Sequence, residues 1–217
     1  GIKYAVIEAS SHALSQHRVE GVCFRSAIFT NLSVEHLDYH TNIRNYRAEK
    51  LKLVRGLKPD GFAILNADDN ASKHFAACTK ARIVWYGIKK KNADVTAEIL
   101  QAGVTTTRVF LNSPWGKVPI DLPLIGKHNV YNALAAAANG LALGFTIDTV
   151  KTGIESLPAV PGRLEKIECG QDYPVYVDFA HTHQALQVVL RTLREVTKGR
   201  IILVFGCGGD RDRKKRP

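Results

Sequence analysis

Two histidines, with two acidic residues near them, and a lysine are crowded into residues 30–50, directly after an apolar run. Glu35, His36 and Asp38 follow the apolar residues 27–29, which are typical of the end of a buried strand. These side chains would therefore emerge at the carboxyl end of that strand. In open α/β sheets, ligands bind at this edge. The stretch therefore predicts a ligand or metal site.

His36 and His40 lie four residues apart, a spacing at which two imidazoles on one helix can share a zinc ion. The segment between them begins in a turn, carries no HExxH pattern and has no evident third ligand nearby. Its acidic surroundings favour magnesium, which commonly takes one or two carboxylates together with substrate phosphates. A capping or solvated role for either histidine is the alternative.

The elements that must position these residues come next. From Ile43 onward, apolar spacing predicts a helix that holds Lys50 about two turns past its start, pointing either to the loop or to solvent. A first strand over residues 4–7 would end at Glu8, a charge that needs a partner such as magnesium or a capped turn. The serines that follow Glu8, beginning with Ser10, are typical helix caps.

Alternating elements continue along the chain. Strands over residues 62–66 and 82–86, with a helix from Ser72 between them, indicate a mostly parallel sheet with helical crossovers. Asp68 and Asp69 follow the first of these strands, where a doubled acid either caps the next helix or ligates a metal. We expect the cap.

Residues 95–122 form short alternating runs, which predict antiparallel strands with a hairpin near residues 114–116. The run GKHN at residues 126–129 then precedes an alanine-rich helix. Helix amino termini attract phosphate, so this run predicts either a nucleotide contact or a plain N-cap by Asn129.

The run LPAVPG at residues 157–162 is the best linker candidate, because it combines two prolines and a glycine. A strand over residues 173–177, a helix to about residue 196 and a strand over residues 200–205 follow, which predicts a Rossmann-like start. The following GCGG is not GxGxxG, so a dinucleotide site has weak support. Asp178, at a strand's carboxyl end, would contact ribose or metal, or cap the turn.

Bulk properties fit an α/β protein of two domains, residues 1–160 and 161–217. The chain has 217 residues, of which 45% are hydrophobic, so it can bury a sizeable core. No stretch approaches a membrane span, and no signal peptide is recognisable. The four cysteines lack CxxC spacing, which indicates a reducing cytoplasm.

The net charge of +10 favours anionic partners such as nucleotides and phosphorylated sugars. Basic residues cluster at residues 89–91 and 211–216, without the interleaved aromatic residues that base stacking would need. We therefore expect neither a nucleic-acid partner nor a membrane partner.

Several runs of this sequence resemble one family. TNLSVEHLDYH followed by NYRAEK is similar to the central domain of the Mur ligases, ATP-dependent enzymes that add amino acids to the peptidoglycan precursor. IEASSHALSQHRV, GKHNVYN, GRLE, DFAHTHQAL and GCGGDRDRKKRP are similar to further family motifs, so the resemblance covers nearly the whole chain. It is strongest to the members that add the third residue of the peptide.

The resemblance implies roles for residues around the first site. The residue matching Lys50 is carbamylated in the family, and its carbamate joins the residue matching His36 in holding magnesium, with Glu8 as a further ligand. Magnesium held in this way would assist the chemistry electrostatically. By the same resemblance, the muramoyl dipeptide substrate is bound by a set of four residues: Ser10, Gln16, Arg18 and His181.

The resemblance also implies that ATP is contacted by His128, Asn129, Arg163 and Asp178. Three residues depart from the family pattern: His183 replaces a proline, Gln184 an aspartate and Lys214 a glycine. The first departure would loosen the turn after His181, because proline fixes its backbone angle and histidine does not.

The chain starts at Gly1 and contains no methionine, so we expect a fragment. A P-loop, GxxGK[ST], is absent from it, and the fragment alone is therefore expected to be inactive.

The expected function is a cytoplasmic, monomeric ligase that uses ATP and Mg²⁺. It adds a third residue, meso-diaminopimelate or lysine, to a UDP-muramoyl dipeptide through an acyl phosphate. The alternatives are another ligase of the superfamily, such as a folylpolyglutamate synthetase, a non-catalytic anion-binding module, and a zinc hydrolase using His36 and His40.

Overall fold

The structure is a computed structural model that describes residues 1–33, 37–157 and 160–206, without the side chains of Leu37 and Asp38. Its internal contacts divide the chain into two compact units. The first unit comprises residues 1–96 and 134–145, and the second comprises residues 97–133 and those from 146 onward.

The first unit is built around parallel strands with helices between them. Its elements are α1 (Ser11–Ser15), β1 (Ser26–Phe29), α2 (Leu37–His40), α3 (Ile43–Arg55), β2 (Phe62–Asn66), α4 (Ser72–Ala76) and β3 (Arg82–Gly87). β1 pairs with β2, and β2 with β3, both in parallel register. β4 (Val95–Ala102) starts parallel to β3. The predicted parallel sheet with helical crossovers is confirmed.

The core of this unit lies along β2. Ala63, Ile64 and Leu65 are fully buried in succession, as expected for a strand covered on both faces. The Phe29 and Phe75 rings stack at 3.9 Å beside them. Burial of this continuous apolar strand fixes the edge at which the loops after β1, β2 and β3 emerge.

Helix α3 begins and ends as its sequence predicts. Asn42 is the N-cap, and its Oδ1 accepts a hydrogen bond from the Asn45 N–H (2.9 Å). Tyr46, Leu51 and Val54 form the buried face. Lys50 therefore lies two turns into a 13-residue helix, as expected.

The second unit contains antiparallel strands and helices. β5 (Thr107–Ser113) and β6 (Gly116–Leu122) form the predicted hairpin, and they are followed by α5 (Lys127–Ala142), α6 (Ile147–Glu155), β7 (Glu165–Ile167), β8 (Val175–Val177) and α7 (His183–Val196). Residues 127–133 of α5 belong to this unit. β7 and β8 make a separate two-stranded antiparallel sheet. The six-stranded sheet runs in the order β1-β2-β3-β4-β5-β6.

Two predicted strands are wrong. Residues 1–10 and 200–206 have no regular secondary structure, although their sequences are apolar. Ile2 and Val6 are 92% and 95% exposed, and Val204 is 91% exposed. A strand needs a hydrogen-bonding neighbour, and these segments pair with none of the described strands. Composition indicated their tendency to form strands but not the missing partner.

Across the described ranges, no helix combines the length and the apolar character needed to cross a membrane.

Candidate functional site

Three of the four proposed substrate residues lie on and around α1. Ser10 is its N-cap, and the Ser10 Oγ accepts a hydrogen bond from the Ala13 N–H (3.1 Å). Gln16 is exposed at the other end of the helix, where its Nε2 lies 3.5 Å from the Tyr39 hydroxyl. Arg18 follows in a turn closed by a hydrogen bond from its N–H to the Ala13 carbonyl (2.9 Å), and its side chain is exposed. The cap expected for Ser10 is present.

A buried polar contact joins α1 to α2. Ser11 and His40 are 2% and 5% exposed, and the Ser11 Oγ lies 2.9 Å from the His40 Nε2. This contact departs from the solvated or zinc-bound role considered for His40. Tyr39 forms hydrogen bonds with Ser15 and Gln16, which lower the pKa of its hydroxyl below the ordinary value.

Lys50 lies close to this cluster. It is half-buried on α3, and its Nζ lies 5.3 Å from the centre of the Tyr46 ring. At that distance the ring face attracts the cationic ammonium. The Tyr46 ring is in turn 5.4 Å from the ring of His40. Contacts in the first unit therefore run from Gln16 through Tyr39, His40 and Tyr46 to Lys50.

The proposed metal ligands are less well defined. Glu8 is exposed in the irregular segment, whereas Glu35 and His36 fall outside the described residues. No group of three or more His, Cys, Asp or Glu side chains that could hold a metal occurs in the part of the chain that the structure describes.

The helix cap expected of the doubled acid after β2 is wrong, because the N-cap of α4 is Ala71, whose side chain cannot accept a hydrogen bond. The two carboxylates bind backbone N–H groups of loops instead. Asp68 accepts hydrogen bonds from the N–H groups of Ile88, Lys89 and Lys90 at 2.8, 2.8 and 2.9 Å. Asp69 accepts hydrogen bonds from the N–H groups of Leu32 (3.0 Å) and Ala71 (2.8 Å). These carboxylates connect the loops that follow β1, β2 and β3.

Beside these acids lies a cavity of about 470 Å³. It is lined by Leu32, Arg47, Asp68, Asp69, Asn70, Ala71 and His74. Sequence reasoning missed Arg47, although it lies in the NYRAEK run one turn before Lys50. It also missed His74, which lies in none of the runs compared with the family.

In the second unit, α5 starts earlier than predicted. Gly126 has φ +91°, and the helix begins at Lys127, which places Asn129 inside its first turn. Asn129 is buried, donates to the Ile125 carbonyl (2.9 Å) and accepts from the Asn132 amide (3.2 Å). The predicted N-cap by Asn129 is therefore wrong, because glycine in the left-handed region lets the chain enter the helix sooner.

His128 is the next residue of this helix start. Its Nδ1 is buried without a hydrogen-bond partner among the described residues. Burial lowers the pKa of His128 below its ordinary value, and the negative charge of Asp178 partly opposes that shift. Burial therefore favours the neutral imidazole, whose Nδ1 has no partner within the described part of the chain.

Asp178 acts on the backbone, in agreement with the capping alternative. Its carboxylate accepts hydrogen bonds from the N–H groups of Leu164 (2.8 Å) and Ala180 (2.7 Å). These bonds fix the turn that carries Arg163. The Arg163 guanidinium lies 5.4 Å from the ring centre of the exposed Phe179, and the His181 ring lies 5.1 Å from it. Phe179 was not singled out from the sequence.

The departures in this region do not disrupt α7. His183 is its first residue and Gln184 its second, and both are exposed. Thr182 is the N-cap, and its Oγ1 accepts a hydrogen bond from the Ala185 N–H (3.2 Å). The loosening expected after His181 is therefore not observed. Lys214 lies outside the described residues.

Two family models match this sequence. The Mur ligase middle domain matches residues 1–140, and the domain described as "Mur ligase, glutamate ligase domain" matches residues 162–217.

Two curated relatives share one name. UDP-N-acetylmuramoyl-L-alanyl-D-glutamate--2,6-diaminopimelate ligase of Bacillus licheniformis is 44% identical over 223 residues, which covers 100% of this chain and 46% of the relative. The same-named ligase of Geobacter metallireducens is 44% identical and covers 100% and 43%. The chain thus spans less than half the length of these relatives.

Solved structures give the same picture of the fold. A structure of UDP-N-acetylmuramoyl-L-alanyl-D-glutamate--2,6-diaminopimelate ligase has a TM-score of 0.75 and 33% identity, covering 96% of this chain and 43% of that one. A pseudomurein peptide ligase type C from Methanothermus fervidus has a TM-score of 0.70, covering 88% and 44%. At 22% identity, the latter is similar in fold alone.

Proposed function

Because the chain belongs to the Mur ligase family, we propose that it is part of a longer cytoplasmic ligase that builds the peptidoglycan precursor. The ligase uses ATP to join a third amino acid to UDP-N-acetylmuramoyl-L-alanyl-D-glutamate. The observation that carries this proposal is 44% identity over the whole chain to relatives named for that reaction. On the same names, we propose 2,6-diaminopimelate as the added residue. We also propose a domain boundary within residues 157–162.

The reaction needs an activated carboxyl group. The terminal carboxylate of the dipeptide attacks the γ-phosphorus of ATP, which gives an acyl phosphate and ADP. The amine of the incoming amino acid then attacks the acyl carbon and loses a proton, and inorganic phosphate leaves with one oxygen of the original carboxylate. Carboxylate and triphosphate are both anionic, so the protein must bring like charges together.

Residues of the first unit would bind the dipeptide substrate. Ser10 and Gln16 occupy the two ends of a short helix, so their positions are fixed by its backbone. The exposed Arg18 follows directly and offers a planar fork that pairs bidentately with carboxylate or phosphate. We assign these three residues to the anionic substrate on this basis.

Residues of the second unit would bind ATP. The unsatisfied Nδ1 of His128 at the start of α5 needs a polar partner, and the exposed Arg163 supplies positive charge. Asn129 and Asp178 shape the two backbone turns that carry these residues. We also assign His181, which follows the same turn as Asp178, to the substrate.

Magnesium would supply charge neutralisation when bound. An unmodified Lys50 is a cation and does not ligate a metal, whereas a carbamate on its Nζ would provide anionic oxygens. We therefore propose Glu8, His36 and carbamylated Lys50 as the magnesium ligands. The support is the chemistry of this donor set and the half-buried setting of Lys50 beside Tyr46.

An isotope experiment on the longer ligase tests the reaction. The enzyme receives ATP, 2,6-diaminopimelate and a dipeptide substrate labelled with ¹⁸O in its terminal carboxylate. We expect amide product and one ¹⁸O atom in each inorganic phosphate released. Lysine in place of diaminopimelate is the specificity control. Product without ¹⁸O transfer would exclude the acyl phosphate, and nucleotide binding without product would favour the non-catalytic module.

A further inference from the structure

The contact between Ser11 and His40 is unusual because both polar side chains are almost completely buried. Their atoms lie 2.9 Å apart, although 29 residues of sequence separate them. A buried polar group that loses its partner bears the full cost of desolvation, so this pair strongly favours one arrangement of α1 and α2. Neither residue is part of the substrate, ATP or metal assignments above.

Aromatic rings extend this contact toward the proposed site on both sides. The His12 ring lies 4.2 Å from Tyr39, and the Tyr39 hydroxyl contacts Gln16 and Ser15. On the other side, the His40 ring lies 4.8 Å from the ring of Tyr39.

The same ring of His40 is 5.4 Å from Tyr46, over which the Nζ of Lys50 lies. Packed rings at such distances attract one another and resist sliding. A continuous series of contacts therefore runs from Gln16 through His40 to Lys50, and Ser11 bonds His40 at its centre.

We propose that Ser11 and His40 are positioning residues of the ligase. Their hydrogen bond holds α1, with Ser10 and Gln16, at a fixed place relative to α3, which carries Lys50. The inference rests on the proposed function, because it concerns how the substrate-binding residues of α1 are held relative to Lys50. Displacement of α1 would misplace the substrate, and small misplacements cost rate steeply.

The test uses the longer ligase with Ser11→Ala, His40→Phe and the double variant. Phenylalanine keeps a ring among the rings but cannot form the hydrogen bond. Ser72→Ala is the matched control, because Ser72 is also a serine of the first unit, is 1% exposed and donates to the Asn66 carbonyl. The readouts are kcat, KM for the dipeptide substrate, KM for ATP and the thermal midpoint.

We expect each single variant to lower kcat/KM for the dipeptide about tenfold and to change KM for ATP less than about twofold. The double variant should be no worse than the poorer single variant, because both remove the same contact. Ser72→Ala should lower the thermal midpoint as much as Ser11→Ala while leaving the dipeptide kcat/KM within about twofold of the parent.

A purely structural role gives a different pattern. Ser11→Ala and Ser72→Ala would then have equal kinetic effects, or the two single effects would add in the double variant, and either result would overturn the proposal. If His40→Phe does not fold, His40→Gln replaces it and should be less impaired than Ser11→Ala, because its amide can still bond Ser11.

Hydrogen exchange separates this inference from the proposed function. Ser11→Ala should speed exchange of the α1 amides, including Ala13, more than Ser72→Ala does. If the ligase makes no amide product but α1 loosens selectively, the function fails and the positioning contact stands. Unchanged α1 exchange refutes the contact whatever the enzyme catalyses.

Discussion

Removal of the Asp68 carboxylate should destabilise the first unit without affecting any metal. The carboxylate accepts hydrogen bonds from three backbone N–H groups; one of these bonds is partly buried and two are exposed. A hydrogen bond to a charged group contributes about 1.5–3 kcal/mol, and water can replace the carboxylate at the exposed N–H groups of Lys89 and Lys90. We therefore expect Asp68→Ala to cost about 2–3 kcal/mol. Asp68→Asn keeps one acceptor oxygen and should cost about half as much.

The assay must report on the first unit alone. Trp85 lies on β3 of this unit, and Trp115 is exposed in the β5–β6 hairpin, so the Trp115→Phe background leaves one fluorescent reporter. Urea unfolding followed through Trp85 should shift its midpoint down by about 1–2 M for Asp68→Ala, given m values near 1–3 kcal/mol/M. Asp60→Asn is the control, because it removes an exposed carboxylate that pairs with Arg25.

A metal role for Asp68 predicts the opposite behaviour. Without magnesium, Asp68→Asn would then be neutral or stabilising, and added magnesium would raise the midpoint of the parent but not of the variant. An Asp68→Ala midpoint within about 0.3 M of the parent would refute the capping argument.

Three further outcomes follow from the site. In urea unfolding, Gly126→Ala should destabilise the second unit by about 2 kcal/mol or more, because at φ +91° its new Cβ would lie 2.6 Å from Thr192 Cγ2. The control Gly170→Ala should cost about 1 kcal/mol, because Gly170 also has a positive φ, +83°, but its Cβ would meet open space. Because the pKa of His128 is lower in the folded state, the unfolded chain takes up a proton at a higher pH than the folded chain does. The free energy of unfolding should therefore decrease as pH falls below 6.5. His128→Gln should reduce this decrease, measured as the midpoint of urea unfolding. In the longer ligase, Lys50→Ala should abolish most turnover, added acetate should restore part of it and added amines should not; near-normal turnover of Lys50→Ala would contradict the carbamate.

Elements held by local contacts could be predicted from the sequence. α3 follows from the Asn42 cap and one apolar face, and the β5–β6 hairpin follows from two alternating runs around a turn. The strands predicted at residues 4–7 and 200–205 were wrong because strand formation depends on a neighbour, which composition does not specify.

Contacts between residues far apart in the sequence could not be predicted within the candidate site either. Asp68 was expected to cap the next helix, but its backbone partners lie 20–22 residues further along the chain. The Ser11–His40 contact joins residues of two separate motifs, and neither motif indicates that they meet. Residue types identified the side chains that could bind a ligand. Only the fold shows which of these side chains already bond to other parts of the protein.

The acidic and basic residues of the candidate site differ in what they bind within the protein. Asp68 follows the parallel strand β2, and Asp178 follows the antiparallel strand β8. An acidic residue after a strand is a candidate ligand-binding residue, yet both carboxylates accept hydrogen bonds from backbone N–H groups. A carboxylate that accepts such bonds is fixed in place, and part of its hydrogen-bonding capacity is already used. Arg18 and Arg163 are exposed and cationic on turns that other residues hold in place, which suits an anionic nucleotide and an anionic sugar peptide.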